Sequence, residues 1–302
     1  MAVALTSILA ALCVISRPTS PIQLVCCDID GTLLTPQHTV TEHTRRVVLQ
    51  AMEEVQFCPC TGRGRVGAYQ ALGSLGQRMK EEQTPGVFLN GLIVYGPDAE
   101  LLSDIALEDD ISREVASFAA DHGVSLVGFS GDRSLCASRC KWTSFLASAH
   151  DPDPEVLGPW RSIIANHRVN KLMLLDDAER MSELRPLLAE RLGGVASLVC
   201  SGPPEMLEVL PFGASKGTGV ELMLSAMNVC PSQVLAIGDA ENDLDMLRLA
   251  GISVAMGNAK AEVQAAADYV SAANHENGAA IAIDRHVLQP RGVSLALADA
   301  IA

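Results

Sequence analysis

The sequence predicts an α/β fold, a parallel sheet interrupted by a long insertion. Short apolar runs alternate with helix-patterned stretches at both ends of the chain, the signature of strand–helix–strand units. Polar residues follow several of those runs directly, at 28–30, 61–63, 90–91 and 238–243, and open α/β sheets bind ligands at the carboxyl ends of their strands. The chain has 302 residues, 48% hydrophobic and 19% charged, which suits one large or two ordinary globular domains.

Taken in order, residues 1–21 form an N-terminal extension. The first 27 residues carry one charged side chain, Arg17, and no acid. The apolar stretch over 3–15 is shorter than the roughly 20 residues a membrane-crossing helix needs. It reads either as a loose extension or as a targeting segment, and the expected location is cytoplasmic or organellar. An apolar run over 23–27 reads as a buried parallel strand. Residues 41–55 carry helical spacing, with Thr41 placed as N-cap. A second strand is expected over 55–60, a helix over 66–82 and a third strand over 86–89. These elements, with residues 205–287, make up the expected core, 22–92 and 205–287.

Residues 93–204 behave as an inserted α+β block. It contains a hairpin over 92–102, helices near 112–122 and 178–192, strands near 124–129, 171–175 and 196–200, and turn-rich punctuation at 151–154. No dense set of acids sits at its strand ends, so little chemistry is expected there. Beyond it, the run at 208–210 is expected to resume the parallel pattern. Then come a helix from Lys216 to about 227, strands over 233–237 and 253–255, helices to about 249 and over 259–267, and an apolar stub at 269–270. Residues 288–302 are an unassigned tail.

Acids outnumber bases 36 to 22, and no basic run offsets them. Nucleic acid and anionic membrane are therefore not expected partners, because clustered cations drive such binding. The nine cysteines lie mostly in apolar runs and read as reduced, buried thiols. The histidines show no paired metal spacing.

The chemistry concentrates in two acidic loops. Asp28 and Asp30 follow the first strand and lead into Gly31-Thr32. One carboxylate there suits a nucleophile and the other a proton donor. Asp239 and Asp243 follow a later strand. Bringing four carboxylates together raises their pKa values unless a cation joins them, and Mg²⁺, with its octahedral oxygen ligands, fits. Thr61-Gly62 offers a hydroxyl and backbone N–H groups to an anion. Lys216 supplies the balancing charge.

These motifs resemble those of the haloacid dehalogenase-like hydrolase superfamily, close to its Cof-type phosphatases. The resemblance spans about 24–283 and rests on Asp28-Ile29-Asp30-Gly31-Thr32-Leu33, Thr61-Gly62-Arg63, Lys216-Gly217 and Gly238-Asp239-Ala240-Glu241-Asn242-Asp243. Asn90-Gly91, Met256-Gly257-Asn258-Ala259 and 274–278 add to it. It implies a Rossmann-like core with an α/β cap inserted after the third strand, and a magnesium-dependent phosphatase acting on a small phosphorylated metabolite. Under it, Asp28 is the nucleophile and a metal ligand. Asp30 is the acid and base, its carbonyl on the metal. Asp239 is the third metal ligand, with Asp243 supporting it from outside. Thr61, Gly62 and Lys216 hold the phosphoryl group, and Asn242 lies beside it or the metal. A sugar phosphomutase of the same superfamily and a non-catalytic phosphometabolite-binding protein are the alternatives. Cys58-Pro59-Cys60 departs from the aliphatic strand usual before Thr-Gly-Arg, and a distorted strand is expected there. Arg65 is expected in solvent.

Overall fold

The computed structural model of the chain describes residues 21–148, 152–200 and 206–293. Five strands form a twisted parallel sheet: β1 (Leu24–Cys27), β2 (Gln56–Pro59), β12 (Val234–Gly238), β13 (Ile252–Ala255) and β14 (Tyr269–Val270), in the order β14-β13-β12-β1-β2. The central strands β1 and β12 are apolar on both faces because helices cover both. Val25, Cys27, Phe57, Leu235 and Ile237 face helices α1 (Glu42–Met52) and α11 (Gly278–Ile283). Leu24, Cys26, Cys58, Val234 and Ala236 face α8 (Lys216–Met227) and α9 (Leu244–Leu249). Helix α1 is capped as expected, with Thr41 Oγ1 accepting the Thr44 N–H at 3.0 Å.

Several expected elements shift. The helix expected over 66–82 is two helices, α2 (Arg65–Ala71) and α3 (Ser74–Glu81), broken where Gly73 turns to φ 57°. Strand β3 (Gly86–Phe88) meets the chain just past β2 at an isolated parallel bridge between Cys60 and Val87 and pairs antiparallel with β4 (Ile93–Tyr95). Pro59 lacks the N–H that a ladder needs, which accounts for that short contact. Strand β5 (Leu101–Asp104) completes this small sheet, so the hairpin beginning near residue 92 belongs with β3. Cys26, Cys58 and Cys60 bring their sulfurs within 4.8 Å of one another across the neighbouring strands β1 and β2. Burial holds Cys58 well above the usual thiol range, so the group packs as protonated, small apolar side chains.

The inserted block forms a six-stranded sheet. Its strands are β6 (Ser125–Ser130), β7 (Arg133–Cys136), β8 (Glu155–Val156), β9 (Lys171–Leu175), β10 (Ala196–Cys200) and β11 (Met206–Pro211), in the order β10-β11-β9-β6-β7-β8. The expectation that residues 208–210 rejoin the parallel core is wrong. Strand β11 pairs antiparallel with both β9 and β10. Its alternation fits an antiparallel sheet with unlike faces, not a strand buried on both sides. One face, with Leu126, Leu172, Leu174, Leu207 and Val209, packs on helices α4 (Asp109–His122) and α7 (Ala178–Leu192). The other face, with Val127, Phe129, Met173, Leu175 and Leu210, joins the core's own hydrophobic cluster. The insertion therefore lays a sheet face over the carboxyl ends of the parallel strands. Trp160 packs among the helix-side residues.

Candidate active site

Strand register assembles the site. Cys27 pairs with Ile237, and Asp28 N–H donates to the Ile237 carbonyl at 2.9 Å. The first residue past β1 thus stands beside the first residues past β12, which carry Asp239. On the other side Cys27 pairs with Pro59, and Cys60 N–H donates to the Cys27 carbonyl, bringing in the Thr61-Gly62-Arg63 turn. Gly31 sits at φ 76°, and a Cβ there would lie 2.3 Å from Asp239 Oδ2. Only glycine lets the two acidic loops approach so closely.

Asp28, Asp239 and Asp243 place carboxylate oxygens within 4.8 Å of one another. Lys216 Nζ, itself buried, bonds Asp28 Oδ1 at 2.5 Å and Asp243 Oδ1 at 2.6 Å. A Ser215–Thr218 capping box starts α8 and sets this lysine in its first turn. The other Asp243 oxygen accepts the N–H groups of Asp239 and Ala240 at 2.9 and 3.0 Å. Asp243 thereby shapes the loop, while Thr32 Oγ1 steadies Asp239 at 3.0 Å. Asn258 donates to the Gly31 carbonyl at 2.9 Å and accepts from Asn274 N–H.

Burial penalises these charges. Asp28 is pushed well above the usual carboxylate range by burial, with Lys216 opposing and Asp243 and Asp239 adding to the rise. Asp239 is pushed up to about 7, by burial first and by Asp243 second. Lys216 is raised despite its burial, because Asp243 and Asp28 favour its charged form. One ammonium is too little positive charge for three clustered acids, two of them buried, a demand that a hard cation meets.

A cavity of about 390 Å³ opens over this cluster, bounded by both sheets. Asp28, Asp30, Gly62, Asp239 and Asn242 line it. Asp30 is gripped at its two oxygens by Arg63, both contacts 2.7 Å. Thr61 is fully buried and accepts the Arg63 N–H at 3.1 Å; it and Lys216 stand behind the cavity wall. Asn242 donates to Asn90 at 2.9 Å. Arg65, expected in solvent, stacks over the Tyr95 ring at 4.0 Å. Glu241 turns away and pairs with Arg185 of α7 at 2.8 Å.

Two charged lining residues escaped the sequence reading, Lys171 and Glu208; the first lies in the block where little chemistry was expected, the second in the run expected to rejoin the parallel core. The signal that finds them is alternation. In β9 and β11 they fall on the period-two face opposite Leu172, Leu174, Leu207 and Val209.

Over residues 25–283 the sequence matches the haloacid dehalogenase-like hydrolase family. The chain belongs to that family. It is an enzyme of the hydrolase class, and its Cof-type motifs fall at the positions just described. It is 30% identical over 268 residues to the HMP-PP phosphatase of Cronobacter sakazakii, covering 84% of this chain and 91% of that protein. It is 34% identical over 269 residues to a protein of Arabidopsis thaliana named chloroplastic endoribonuclease YBEY; the match takes 86% of this chain and 46% of that longer protein. The chain thus spans about half of that relative's length. Among solved structures, a Plasmodium vivax protein described as HAD/COF-like superposes with a TM-score of 0.82 at 24% identity, covering 91% of this chain and 98% of the other, a likeness of fold.

Proposed function

We propose that this chain is a magnesium-dependent phosphatase that hydrolyses a small phosphorylated metabolite through a phosphoaspartyl intermediate on Asp28, under a cap formed by the six-stranded sheet. The observation that carries the reading is the meeting of Asp28 and Asp239 at one buried point beside Lys216. The named phosphatase relative supports it.

The donor set fits Mg²⁺. Asp28, Asp239 and the Asp30 carbonyl would hold it, with Asp243 behind them bound to Lys216 and to two loop N–H groups. When bound, the ion would neutralise charge on the phosphoryl oxygens and relieve repulsion between the acids. In the first step an Asp28 oxygen attacks phosphorus and the bond to the leaving oxygen breaks. Asp30 gives that oxygen a proton. Water then attacks phosphorus, Asp30 takes its proton, and phosphate leaves with Asp28 restored. Lys216 holds the nucleophile in place, Arg63 holds Asp30 at the cavity wall, and the cap sheet excludes bulk water. Phosphoryl transfer needs this positioning and charge balance more than elaborate bond chemistry.

The acid-free first 20 residues and the chloroplastic relative support the organellar of the two expected locations. Among the described residues no helix is long and apolar enough to cross a membrane.

The test is phosphate release from a panel of phosphorylated metabolites, with Mg²⁺ and with a chelator. Release that requires Mg²⁺ is the expected result. Isomerised sugar phosphate without free phosphate would move the activity to a mutase, and no turnover on any substrate would remove the phosphatase reading.

A further inference from the structure

We propose that the protein carries a second small-molecule site, separate from the cavity over Asp28, which takes a small anion with two or more acidic groups. The site is a cavity of about 550 Å³ beyond the β2 edge of the parallel sheet, where α2 and α3 meet the turn between β4 and β5. Its lining shares no residue with that of the cavity over Asp28.

The walls follow from local features. Helix α2 supplies Arg65 and Tyr69, α3 supplies Lys80, and Tyr95 ends β4. Gly73, at φ 57°, makes the break that lets α3 start in a new direction beside α2. Tyr69 and Tyr95 both meet the fully buried Phe88 ring edge to face, at 5.9 and 6.1 Å between centroids. These rings make a fixed floor. Arg65, half-buried, lies over the Tyr95 ring at 4.0 Å. A guanidinium held against an aromatic ring is oriented in advance, and the N–H groups at its edge stay available to an acceptor.

The charge pattern calls for an anion. The chain has 36 acids against 22 bases, yet no carboxylate lines this cavity. Arg45, Arg113, Arg133 and Arg139 each hold a carboxylate. Among the described residues, Arg65 and Lys80 make no ion pair and donate no side-chain hydrogen bond. The acids beside Lys80 are engaged elsewhere: Glu81 accepts from Gln77 at 2.7 Å, and Glu82 pairs with Arg78. Two unbalanced cations in one cavity repel each other, and an anion bound to both removes that cost. One acidic group for each cation sets the minimum ligand charge. Arginine takes phosphate and carboxylate alike through paired N–H donors, so either oxyanion suits the site. Gln70 and Gln83 add amides at the rim for the neutral polar part of such a ligand. The volume matches the size range of small-molecule sites.

The test is calorimetric titration of methylenediphosphonate, and separately of citrate, into protein freed first of metal and then of chelator. Without metal the acids around Asp28 repel an anion, and the P–C–P bridge resists hydrolysis. The proteins are wild type, Arg65→Gln, Lys80→Gln, R65Q/K80Q and Lys260→Gln, the last an exposed lysine outside both cavities. Binding of at least one probe is expected in wild type and unchanged in Lys260→Gln. It should weaken about tenfold or more in Arg65→Gln, about threefold in the more exposed Lys80→Gln, and disappear in the double variant. Binding of the diphosphonate alone assigns a phosphate-type ligand, and of citrate alone a carboxylate. Lys80→Gln changes only a solvent-facing side chain, so it keeps the test decisive should Arg65→Gln fail to fold. No binding of either probe, an affinity that Lys80→Gln leaves unchanged, or binding that the double variant keeps overturns the inference. Phosphate release is not read in this experiment, so the phosphatase reading stands or falls separately.

Discussion

Asp28 and Asp239 are the residues on which the chemistry depends, and their strain is readable as a pH effect. In the folded protein Asp239 titrates near 7, against an ordinary 3.8, and Asp28 is displaced in the same direction. The folded form therefore holds protons that the unfolded chain has already released, so the contribution of these two acids to stability falls as pH rises between about 4 and about 7. The raised Lys216 works at the alkaline end, where its contribution is present below its ordinary 10.5 and is lost as pH climbs above that. Thermal melts in chelator should thus show a lower Tm at pH 7.5 than at pH 5, and Mg²⁺ should raise Tm most at the higher pH, about as mass action dictates. A flat chelated profile would contradict this. Asp28→Asn should abolish phosphate release and keep a cooperative melt, since it removes one of three clustered charges; retained turnover would take Asp28 out of the mechanism. Lys216→Met is the opposite case. It leaves Asp28 and Asp243 buried without their cation, so a loss of about 3–5 kcal/mol is expected in urea unfolding. All of these residues stood out in the sequence, because an acidic pair past an apolar strand and a lysine opening a helix are local patterns. The grip of Arg63 on Asp30 was not visible, since it depends on how a turn after β2 faces a loop after β1.

Helices and strands divide in the same way. Caps and apolar periodicity give α1 and the parallel strands directly. Thr41 caps α1 and also donates to Asn277 Oδ1 at 2.6 Å, just before α11. Thr41→Ala should therefore cost about 1–2 kcal/mol, toward the upper end for a cap, and a change within a few tenths would show that the tie to Asn277 adds nothing. By contrast, Glu241→Gln breaks only the half-exposed bridge to Arg185 and should shift stability by less than about 1 kcal/mol. The misplaced elements share a cause. Gly73 ends a helix that periodicity alone runs through, and β3 and β11 were assigned to the parallel sheet because a short apolar run carries no record of its partner strand. Reading β11 as alternating, with Glu208 and Met206 on one face and Leu207 and Val209 on the other, assigns it to the inserted sheet.

At the scale of the whole molecule, two sheets close on one cavity. Buried contacts cross between them at Lys171 with Gly62 and at Glu208 with Asn90, and Asp132 accepts the Val66 N–H at 3.0 Å nearer the surface. The two-part α/β plan was legible because helix–strand alternation stops and resumes along the chain. Which face of the insertion covers the site was not, because that follows from the register of β9 and β11 rather than from any local motif. The account depends most on a single electrostatic arrangement, in which two acidic loops past neighbouring strands share one divalent ion. Calorimetric titration of Mg²⁺ into wild type, Asp239→Asn and a surface control, Glu241→Gln, tests it directly. A single Mg²⁺ site in wild type and the control, lost or weakened by about a hundredfold or more in Asp239→Asn, is the predicted result; binding that Asp239→Asn leaves unchanged would contradict it.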